Sequence, residues 1–512
     1  MAAEKMMVQA VNVVTAQGTQ ECVFVNGGYE YEDVRVTVAE GVVSVCAEST
    51  GICSLQIVLD APCKAEDILV LSDAFERGYA EFAWKKPALE TRMPWYFLIK
   101  QADNIWGVGV KTQPDSMVSW QYGEGQLILC ADVRSGKNPV ELKGNTLEAC
   151  TVVMESYQQD VYAAAADFCG KMCDNPIKVN RPVFGGNDWY CNYGDNDFES
   201  IRLHAQRIVE CCPKDAEKPF MVIDDGWQIC HQLEYAYNGG PWLPNARFKD
   251  MAKMAQAIAD EGAIPGIWFR PLQTVEFVPE EYVLKRNGME VILDPSVPEV
   301  LDIVAQDVTR IREWGYKLIK HDFSTFDIYG KWGFQMNGDF GADAELADKT
   351  RTTAQIIKAF YKTIREAAGE DVMIIGCNTI SHLSAGMFEI QRTGDDTSGQ
   401  NWQRTKDYGI NTLAFRMAQH DTFYQADADC VGITNQVDWE KNSQWLDVLA
   451  KSGTPLFVSI AKDAYSEQVQ ADLKKAFEKA AKNRIVSRPL DWEETKTPAK
   501  WQSVFGEDEY NW

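Results

Sequence analysis

The segment FMVIDDGWQ, from Phe220 to Gln228, joins four apolar residues to a cluster of acidic and aromatic ones. A short apolar run that ends in an Asp-Asp-Gly turn is typical of a buried strand. The next periodic stretch, Phe248–Glu261, repeats its apolar residues at i, i+3, i+4 and i+7, which is the spacing of a helix with one buried face. The segment therefore predicts a buried strand that is followed by a helix.

The same alternation of strand and helix extends over the C-terminal two thirds of the chain. The predicted strands are Pro182–Gly186, Phe220–Asp224, Ile264–Phe269, Leu318–Asp322, Met373–Cys377, Phe388–Arg392, Tyr424–Val431 and Pro455–Ile460. Eight such runs favour a (β/α)8 TIM barrel, an α/β fold, over a doubly wound sheet. Only about ten residues separate the fifth run from the sixth, which is too few for a full crossover helix.

The N-terminal part of the chain has a different pattern. Short runs of alternating β-branched residues are interrupted by Gly, Asn and Asp every eight to twelve residues, which is typical of an antiparallel β-sandwich. We therefore predict a sandwich domain over residues 1–175, a catalytic barrel over 176–482 and a short C-terminal extension over 483–512.

The composition excludes several classes of protein. Across 512 residues, 50 Lys and Arg against 75 Asp and Glu give a formal charge of −25, which argues against a nucleic-acid partner. No apolar run is long enough for a secretory signal or a membrane span, so no membrane partner is expected. Cys169 and Cys173 have no matching His or Cys pair for zinc. Several of the 14 cysteines lie in apolar contexts, which predicts reduced thiols and a cytoplasmic protein.

Polar and aromatic residues follow several predicted strands, where the active site of a barrel forms. They include Trp189, Asp224, Asp225, Trp227, Trp268, Lys320, Asp322, Cys377, Asn378, Arg392, Asp395 and Asp396. Carboxylates accept hydrogen bonds from sugar hydroxyls, and indoles cover the apolar face of a sugar ring. Two further carboxylates on either side of the anomeric carbon can cleave a glycoside. The alternative for the Asp-Asp pair is a magnesium site, but no phosphate-binding loop accompanies it, so no metal is predicted.

Three segments of the sequence that contain these residues resemble the signatures of glycoside hydrolase clan D. They are FMVIDDGWQ, KLIKHDF (Lys317–Phe323) and QRTGDDTSG (Gln391–Gly399), and FGGNDWYCNYGD (Phe184–Asp195) is similar to the first barrel strand of the clan. Families 27 and 36, the α-galactosidases and their relatives, are the most similar members. A β-sandwich before the barrel is the arrangement of family 36, which is therefore favoured.

The resemblance implies a retaining, exo-acting hydrolase of terminal α-linked galactose that needs no cofactor. It makes Asp322 the nucleophile and places Lys320 beside it as a ligand of ring hydroxyls. Asp396, four residues after Arg392, would be the acid/base. Asp395 stays open as the alternative, because some relatives align the adjacent position.

The resemblance also implies the remaining substrate contacts. Asp224 and Asp225 would bind the 4- and 6-hydroxyls, and Cys377 with Asn378 would lie at carbon 2. Arg392 would contact the 2-hydroxyl, and the candidate stacking residues are Trp189, Trp227 and Trp268.

Other functions stay open at this point. They are an α-N-acetylgalactosaminidase, a galactosyl transferase of the raffinose-synthase type, indicated by Gln228, and a non-catalytic carbohydrate-binding barrel. The partner is an oligosaccharide or a smaller α-galactoside in the favoured function, and the chain could form a homo-oligomer.

Overall fold

The computed structural model of the protein describes residues 7–63, 67–123, 125–233, 237–285, 291–337 and 341–512. The N-terminal strands are β1 (Val8–Thr15), β2 (Gly18–Glu21), β3 (Val23–Val25), β4 (Gly28–Tyr31), β5 (Val34–Ala39), β6 (Val42–Ala47), β7 (Ser54–Asp60), β8 (Leu69–Ser72), β9 (Met93–Pro94), β10 (Tyr96–Gln101), β11 (Asn104–Val110), β12 (Met117–Gly123), β13 (Gln126–Asp132) and β14 (Thr146–Tyr157).

These strands form two antiparallel sheets, in the orders β2-β1-β7-β13-β12-β9 and β3-β4-β5-β6-β14-β11-β10-β8. Burial alternates along β6 and β7, so that every second side chain points into the core. This is the pattern that one buried sheet face imposes. It confirms the predicted sandwich.

The barrel strands are β15 (Phe184–Asn187), β16 (Phe220–Ile223), β17 (Ile264–Phe269), β18 (Leu318–His321), β19 (Met373–Gly376), β20 (Ile390–Arg392), β21 (Gln425–Asp427), β22 (Cys430–Ile433) and β23 (Leu456–Ile460). All are parallel, in the order β21-β20-β19-β18-β17-β16-β15-β23-β22.

The α-helices are α1 (Val161–Met172), α2 (Trp189–Asn192), α3 (Phe198–Cys211), α4 (Met251–Glu261), α5 (Pro298–Glu313), α6 (Ser324–Tyr329), α7 (Thr353–Ala368), α8 (Ser381–Ser384), α9 (Trp402–Arg404), α10 (Asn411–Arg416), α11 (Trp439–Ser452) and α12 (Glu467–Ala480). The alternation of strands and helices confirms the predicted barrel.

The seventh barrel strand is interrupted. Sequence predicts one run, Tyr424–Val431, but among the described residues β21 pairs with β20 alone, and β22 pairs with β23 alone. Between them Asp429 has a φ of 74°, in the left-handed region that breaks a strand. Because β21 and β22 are the two edges of the sheet, this broken strand closes the barrel.

The barrel lacks a long helix between β19 and β20, as the short interval in the sequence predicts. Only the single turn of α8 lies there, and the N-terminal domain packs against it. The indole of Trp95 stacks on His382 with ring centroids 5.0 Å apart, and the backbone N–H of Ser381 donates to Phe75 O over 3.2 Å. The missing helix therefore leaves room for the sandwich.

A buried ion pair joins the two domains at this contact. Arg416, at the end of α10, donates from Nε to Asp73 Oδ1 over 2.9 Å, and from Nη1 to Glu76 O over 2.6 Å. Both Arg416 and Asp73 are almost fully buried. Removing one partner of such a pair leaves an uncompensated charge in the interior.

We expect Arg416→Met to lower the free energy of unfolding by about 3–5 kcal/mol, because Asp73 would stay buried without its cation. Equilibrium denaturation in urea measures the loss. The matched control is Lys362→Met, which removes an exposed ion pair with Glu366 on α7 and should change stability by less than about 0.5 kcal/mol. Equal effects of the two substitutions would contradict a stabilising role for the buried pair.

The C-terminal residues form a small antiparallel sheet of β24 (Arg488–Pro489), β25 (Lys500–Ser503) and β26 (Gly506–Glu509). Lys451 of α11 binds Asp508 in this sheet over 2.9 Å. The division of the chain at residues 175 and 482 stays a prediction. In the part of the chain described above, no helix combines the length and the apolar character needed to cross a membrane. All 14 cysteines lie within that part, and their thiols are free.

Candidate active site

A cavity of about 570 Å³ opens over the carboxyl ends of the barrel strands. Most of the predicted site residues line it: Trp189, Asp224, Asp225, Trp268, Lys320, Asp322, Cys377, Asp395 and Asp396. They come together because the carboxyl ends of parallel strands meet at one face of a barrel.

Asp322 directly follows β18, and two donors hold its carboxylate. Trp268 Nε1 donates to Oδ2 over 3.0 Å, and the backbone N–H of Phe323 donates to Oδ1 over 2.7 Å. Burial raises the pKa of Asp322, but the charges of Lys320 and Arg77 and these two hydrogen bonds outweigh it, so the pKa lies below its usual value. Asp322 is therefore ionised at neutral pH.

Lys320, on the same strand, binds the neighbouring strand end. Its Nζ donates to Asp224 Oδ2 over 2.6 Å, and Asn187 Nδ2 donates to the same oxygen over 2.8 Å. Burial lowers the pKa of Lys320, but the negative charge of Asp224 raises it by a larger amount, so the ammonium stays charged. The cavity floor thus carries a fixed pair of opposite charges.

Asp225 is oriented by residues of its own loop. Gln228 Nε2 lies 2.6 Å from Asp225 Oδ1, and His231 Nδ1 lies 3.1 Å from the same atom. The backbone N–H of Asp225 donates to Asp224 Oδ1 over 3.0 Å. With one oxygen held in this way, the carboxylate presents the other as an acceptor for a ligand.

Asp395 and Asp396 follow β20 on the opposite side of the cavity. Arg392 Nη2 donates to Asp396 Oδ1 over 3.2 Å, whereas Arg404 Nη2 donates to Asp395 Oδ2 over 3.3 Å. Burial raises the pKa of Asp396, but Arg392 and Arg77 lower it by a larger amount, and the net pKa is below its usual value. Both aspartates are half-buried, so each can reach a ligand.

Three predicted substrate residues do not line the cavity. Trp227 lies in the core, where its Nε1 donates to Trp268 O over 2.9 Å and its ring packs against Trp242. The prediction that Trp227 stacks on the sugar is wrong for this reason, because its indole has no face toward the cavity.

Asn378 and Arg392 are also set back. Asn378 donates to Glu76 and accepts from the backbone N–H of Phe326, so its amide is used inside the protein. Arg392 lies behind Asp396, with Nη1 3.1 Å from Asp429 Oδ1. Their positions correct the predicted contacts with the substrate: Arg392 binds the cavity residue Asp396, and Asn378 binds residues behind the cavity lining.

Several residues that line the cavity are absent from the prediction: Arg77, Tyr79, Tyr237, Asn238, Arg270, Phe323, Trp332, Phe334 and Arg404. Arg270 and Phe323 lie just beyond barrel strands, so their position was a usable signal. Arg77 and Tyr79 come from the N-terminal domain, and no motif around them indicates a site. Arg270 binds Asp327 in a buried pair.

The arrangement can perform nucleophilic and acid/base chemistry on a bound polar molecule. An ionised carboxylate, Asp322, shares one cavity with a second carboxylate, Asp396, and Lys320 supplies positive charge between the strands. Among the residues that the structure describes, no group of three or more His, Cys, Asp or Glu is placed to hold a metal ion.

Solved structures with a similar fold are α-galactosidases. TtGalA, an α-galactosidase from Thermus thermophilus, matches with a TM-score of 0.59 and 16% identity over 99% of each chain. The family 36 α-galactosidase AgaA from Geobacillus stearothermophilus matches with a TM-score of 0.61 and 13% identity, over 94% of this chain and 76% of that one. The galactosidase domain of the α-galactosidase–sucrose kinase AgaSK matches with a TM-score of 0.63 and 14% identity, over 97% of this chain and 78% of that one.

No family model matches the sequence. The structural matches cover almost the whole chain, including the sandwich and the barrel. The chain therefore has the fold of the α-galactosidases of glycoside hydrolase family 36.

Proposed function

We propose that the protein is a retaining, exo-acting α-galactosidase that releases terminal α-linked galactose from oligosaccharides or glycoconjugates. The observation that carries the proposal is the placement of Asp322 and Asp396 in one cavity at the carboxyl ends of β18 and β20. Asp322 is held ionised, as a nucleophile requires, and Asp396 is half-buried and can reach a leaving oxygen.

The proposed reaction has two displacement steps. In the first, Asp322 attacks the anomeric carbon while Asp396 gives its proton to the leaving oxygen, so that the C–O bond to the leaving group breaks. In the second, Asp396 takes a proton from water, and the resulting hydroxide displaces Asp322. Each step inverts the anomeric carbon, and the product keeps the α configuration.

Recognition of galactose is assigned to the charged cavity floor. Asp224 and Asp225 would accept hydrogen bonds from the 4- and 6-hydroxyls, and Lys320 would donate to a ring hydroxyl. A sugar with an equatorial 4-hydroxyl would leave these buried groups without their partners, which disfavours its binding. Trp189 lines the same cavity, is half-buried and offers apolar surface to the ring, whereas Trp268 is only 1% exposed and serves to hold Asp322 through its Nε1.

The substrates bound by the fold relatives support the same substrate class. TtGalA has been solved with p-nitrophenyl α-D-galactopyranoside and with stachyose, and an AgaA variant with raffinose. All three are α-galactosides. We extend this substrate class to the present chain because its cavity combines acidic, cationic and aromatic residues suited to a sugar.

The proposal is tested by incubating the purified chain with p-nitrophenyl α-galactoside and following the sugar by proton NMR. We expect α-galactose as the first product, which later equilibrates to the β anomer. The control is p-nitrophenyl α-N-acetylgalactosaminide, which should react more slowly. First release of β-galactose would overturn retention, and the absence of release would overturn the hydrolase.

The same experiment separates the competing functions. Faster turnover of the N-acetylgalactosaminide would indicate that the protein is an α-N-acetylgalactosaminidase and not an α-galactosidase. A new galactosyl-sucrose in the presence of sucrose, in place of free galactose, would indicate a transferase. A cytoplasmic location and a homo-oligomeric state stay predictions from the sequence.

A further inference from the structure

A segment of the N-terminal domain reaches into the barrel mouth. We name this segment, residues 73–79 between β8 and β9, the N-terminal insert. Arg416 holds its beginning through Asp73, and the backbone N–H of Gly78 donates to Thr393 O over 2.7 Å. A Cβ at Gly78 would lie 2.3 Å from the ring of Phe82, so glycine permits this close approach. The insert is therefore fixed beside the strand that bears Asp396.

Arg77 of the insert lines the cavity with an incompletely used guanidinium. Its side chain is only 7% exposed, with Nη2 3.5 Å from Asp395 Oδ1 and Nη1 3.9 Å from Asp396 Oδ1. Its Nη2 donates one hydrogen bond to Tyr79 Oη over 3.2 Å, and its Nε lies 3.4 Å from Glu76 Oε1 without a hydrogen bond among the described residues. A buried guanidinium with five N–H donors normally finds more acceptors than this. Nη1 lies 3.9 Å from Asp396 Oδ1, beyond hydrogen-bond distance, and can therefore donate to a ligand in the cavity.

Aromatic rings surround the same guanidinium. Its carbon lies 5.7 Å from the ring centroid of Tyr79 and 5.9 Å from that of Trp332. The ring of Tyr79 packs edge-on against Phe334 at 5.0 Å, and Phe334 is 51% exposed, at the outer side of the cavity. Hydrogen-bond donors beside aromatic surface suit a sugar ring, which has both polar and apolar faces.

We propose that Arg77 and Tyr79 of the insert, with Trp332 and Phe334, form the subsite for the sugar that leaves with the glycosidic oxygen. Arg77 donates to the hydroxyls of this sugar, and the aromatic rings cover its apolar face. The occupant is a neutral, hydroxylated ring, since an anionic one would meet the carboxylates of Asp395 and Asp396. The proposal rests on the proposed galactosidase function and adds that one chain supplies the subsite from both of its domains.

A second groove offers the leaving sugar another route, which supplies the matched control. This groove, of about 420 Å³, shares Asp396 and Arg404 with the cavity and is also lined by Ser398, Gln400 and Gln436. Gln400 is exposed and donates to Tyr193 Oη over 2.6 Å. If the leaving sugar lay in the groove, a substitution of Gln400 rather than Arg77 would weaken its binding.

The experiment compares kcat/KM for melibiose, in which glucose is the leaving sugar, with kcat/KM for methyl α-galactoside. Both substrates need acid assistance, but only melibiose places a ring in the subsite. We expect Arg77→Met to lower the melibiose to methyl galactoside ratio by about 10- to 100-fold, because hydrogen bonds from a charged donor are lost. Gln400→Ala should leave the ratio unchanged.

Other outcomes overturn the subsite. A ratio that Arg77→Met leaves unchanged, with both kcat/KM values equally lowered, would assign Arg77 to the acid/base instead. A ratio lowered by Gln400→Ala and not by Arg77→Met would place the leaving sugar in the groove. If Arg77→Met fails to fold, Phe334→Ser at the exposed rim carries the test, and an unchanged ratio there overturns the subsite. Failure of the unaltered enzyme on both substrates would overturn the galactosidase function itself.

Discussion

Replacing Asp322 by alanine is expected to lower kcat for p-nitrophenyl α-galactoside by about 10⁴- to 10⁶-fold, because the proposed mechanism forms the covalent bond to the sugar on this carboxylate. Binding should be less affected, since Asp224, Asp225 and Lys320 remain in place. The measurement is the rate of nitrophenol release. The matched control is Asp302→Ala, at an exposed position on α5, which should leave kcat unchanged.

Azide gives this prediction a chemical signature. In Asp322→Ala the anion can enter the space of the missing carboxylate and attack the anomeric carbon from the same side. The new C–N bond forms as the C–O bond breaks, and nitrophenolate leaves with the electron pair. The expected product is β-galactosyl azide with partial recovery of the rate. Unchanged turnover without azide, or an azide of α configuration, would exclude Asp322 as the nucleophile.

Replacing Asp396 by alanine is expected to act according to the leaving group. For methyl α-galactoside, which needs a proton on its leaving oxygen, kcat/KM should fall by about 10²- to 10⁴-fold. For p-nitrophenyl α-galactoside the first step needs little acid, so kcat/KM should fall much less. Steady-state kinetics with the two substrates measure the difference. Equal losses on both would contradict the role of general acid.

The pH profile of kcat/KM for methyl α-galactoside, the substrate that needs the acid, provides a second measurement on Asp396. Asp396 must be protonated to act as an acid, so kcat/KM falls as pH rises through its pKa. Burial raises the pKa of Asp396, but Arg392 and Arg77 lower it by a larger amount, so the net pKa is below its usual value. The fall of kcat/KM should therefore begin at acid pH. Asp396→Ala lacks the titrating carboxyl, so its kcat/KM should no longer fall as the pH rises.

Azide also decides between the two adjacent aspartates. In the variant that lacks the acid/base, azide attacks the glycosyl-enzyme at the anomeric carbon and displaces Asp322. The product is then α-galactosyl azide, opposite in configuration to the product of the nucleophile variant. We expect it from Asp396→Ala and not from Asp395→Ala. The reverse result would transfer the acid/base role to Asp395.

The barrel was predictable because each strand is a short apolar run that ends in polar residues. The break in the seventh strand was not, because it depends on the left-handed backbone of Asp429, which nothing in Tyr424–Val431 indicates. The short interval before Arg392 did predict the missing helix. That the sandwich would pack there was not predictable, since the contact of Trp95 with His382 joins residues far apart in sequence.

The site was predictable where function follows directly from a strand end. Lys320 lies on β18 and Asp322 follows it two residues later, directly after the strand, so the alternation of an extended chain predicts that both side chains point to the same face. Trp227 comes three residues after Asp224, but the Gly226 turn (φ 119°) precedes it and its indole points into the core. The position of Arg77 in the site was not predictable from the sequence, because Arg77 lies near Asp396 only when both domains are folded.

The buried pair between Asp73 and Arg416 has a consequence for how the enzyme becomes active. Its two residues are 343 positions apart, and contacts of such large sequence separation form late because a long loop must close first. We therefore expect the N-terminal insert to reach the barrel after most local structure has formed. A nascent or refolding chain would gain its secondary structure before the proposed leaving-sugar subsite, and activity on disaccharides would be the last property to appear.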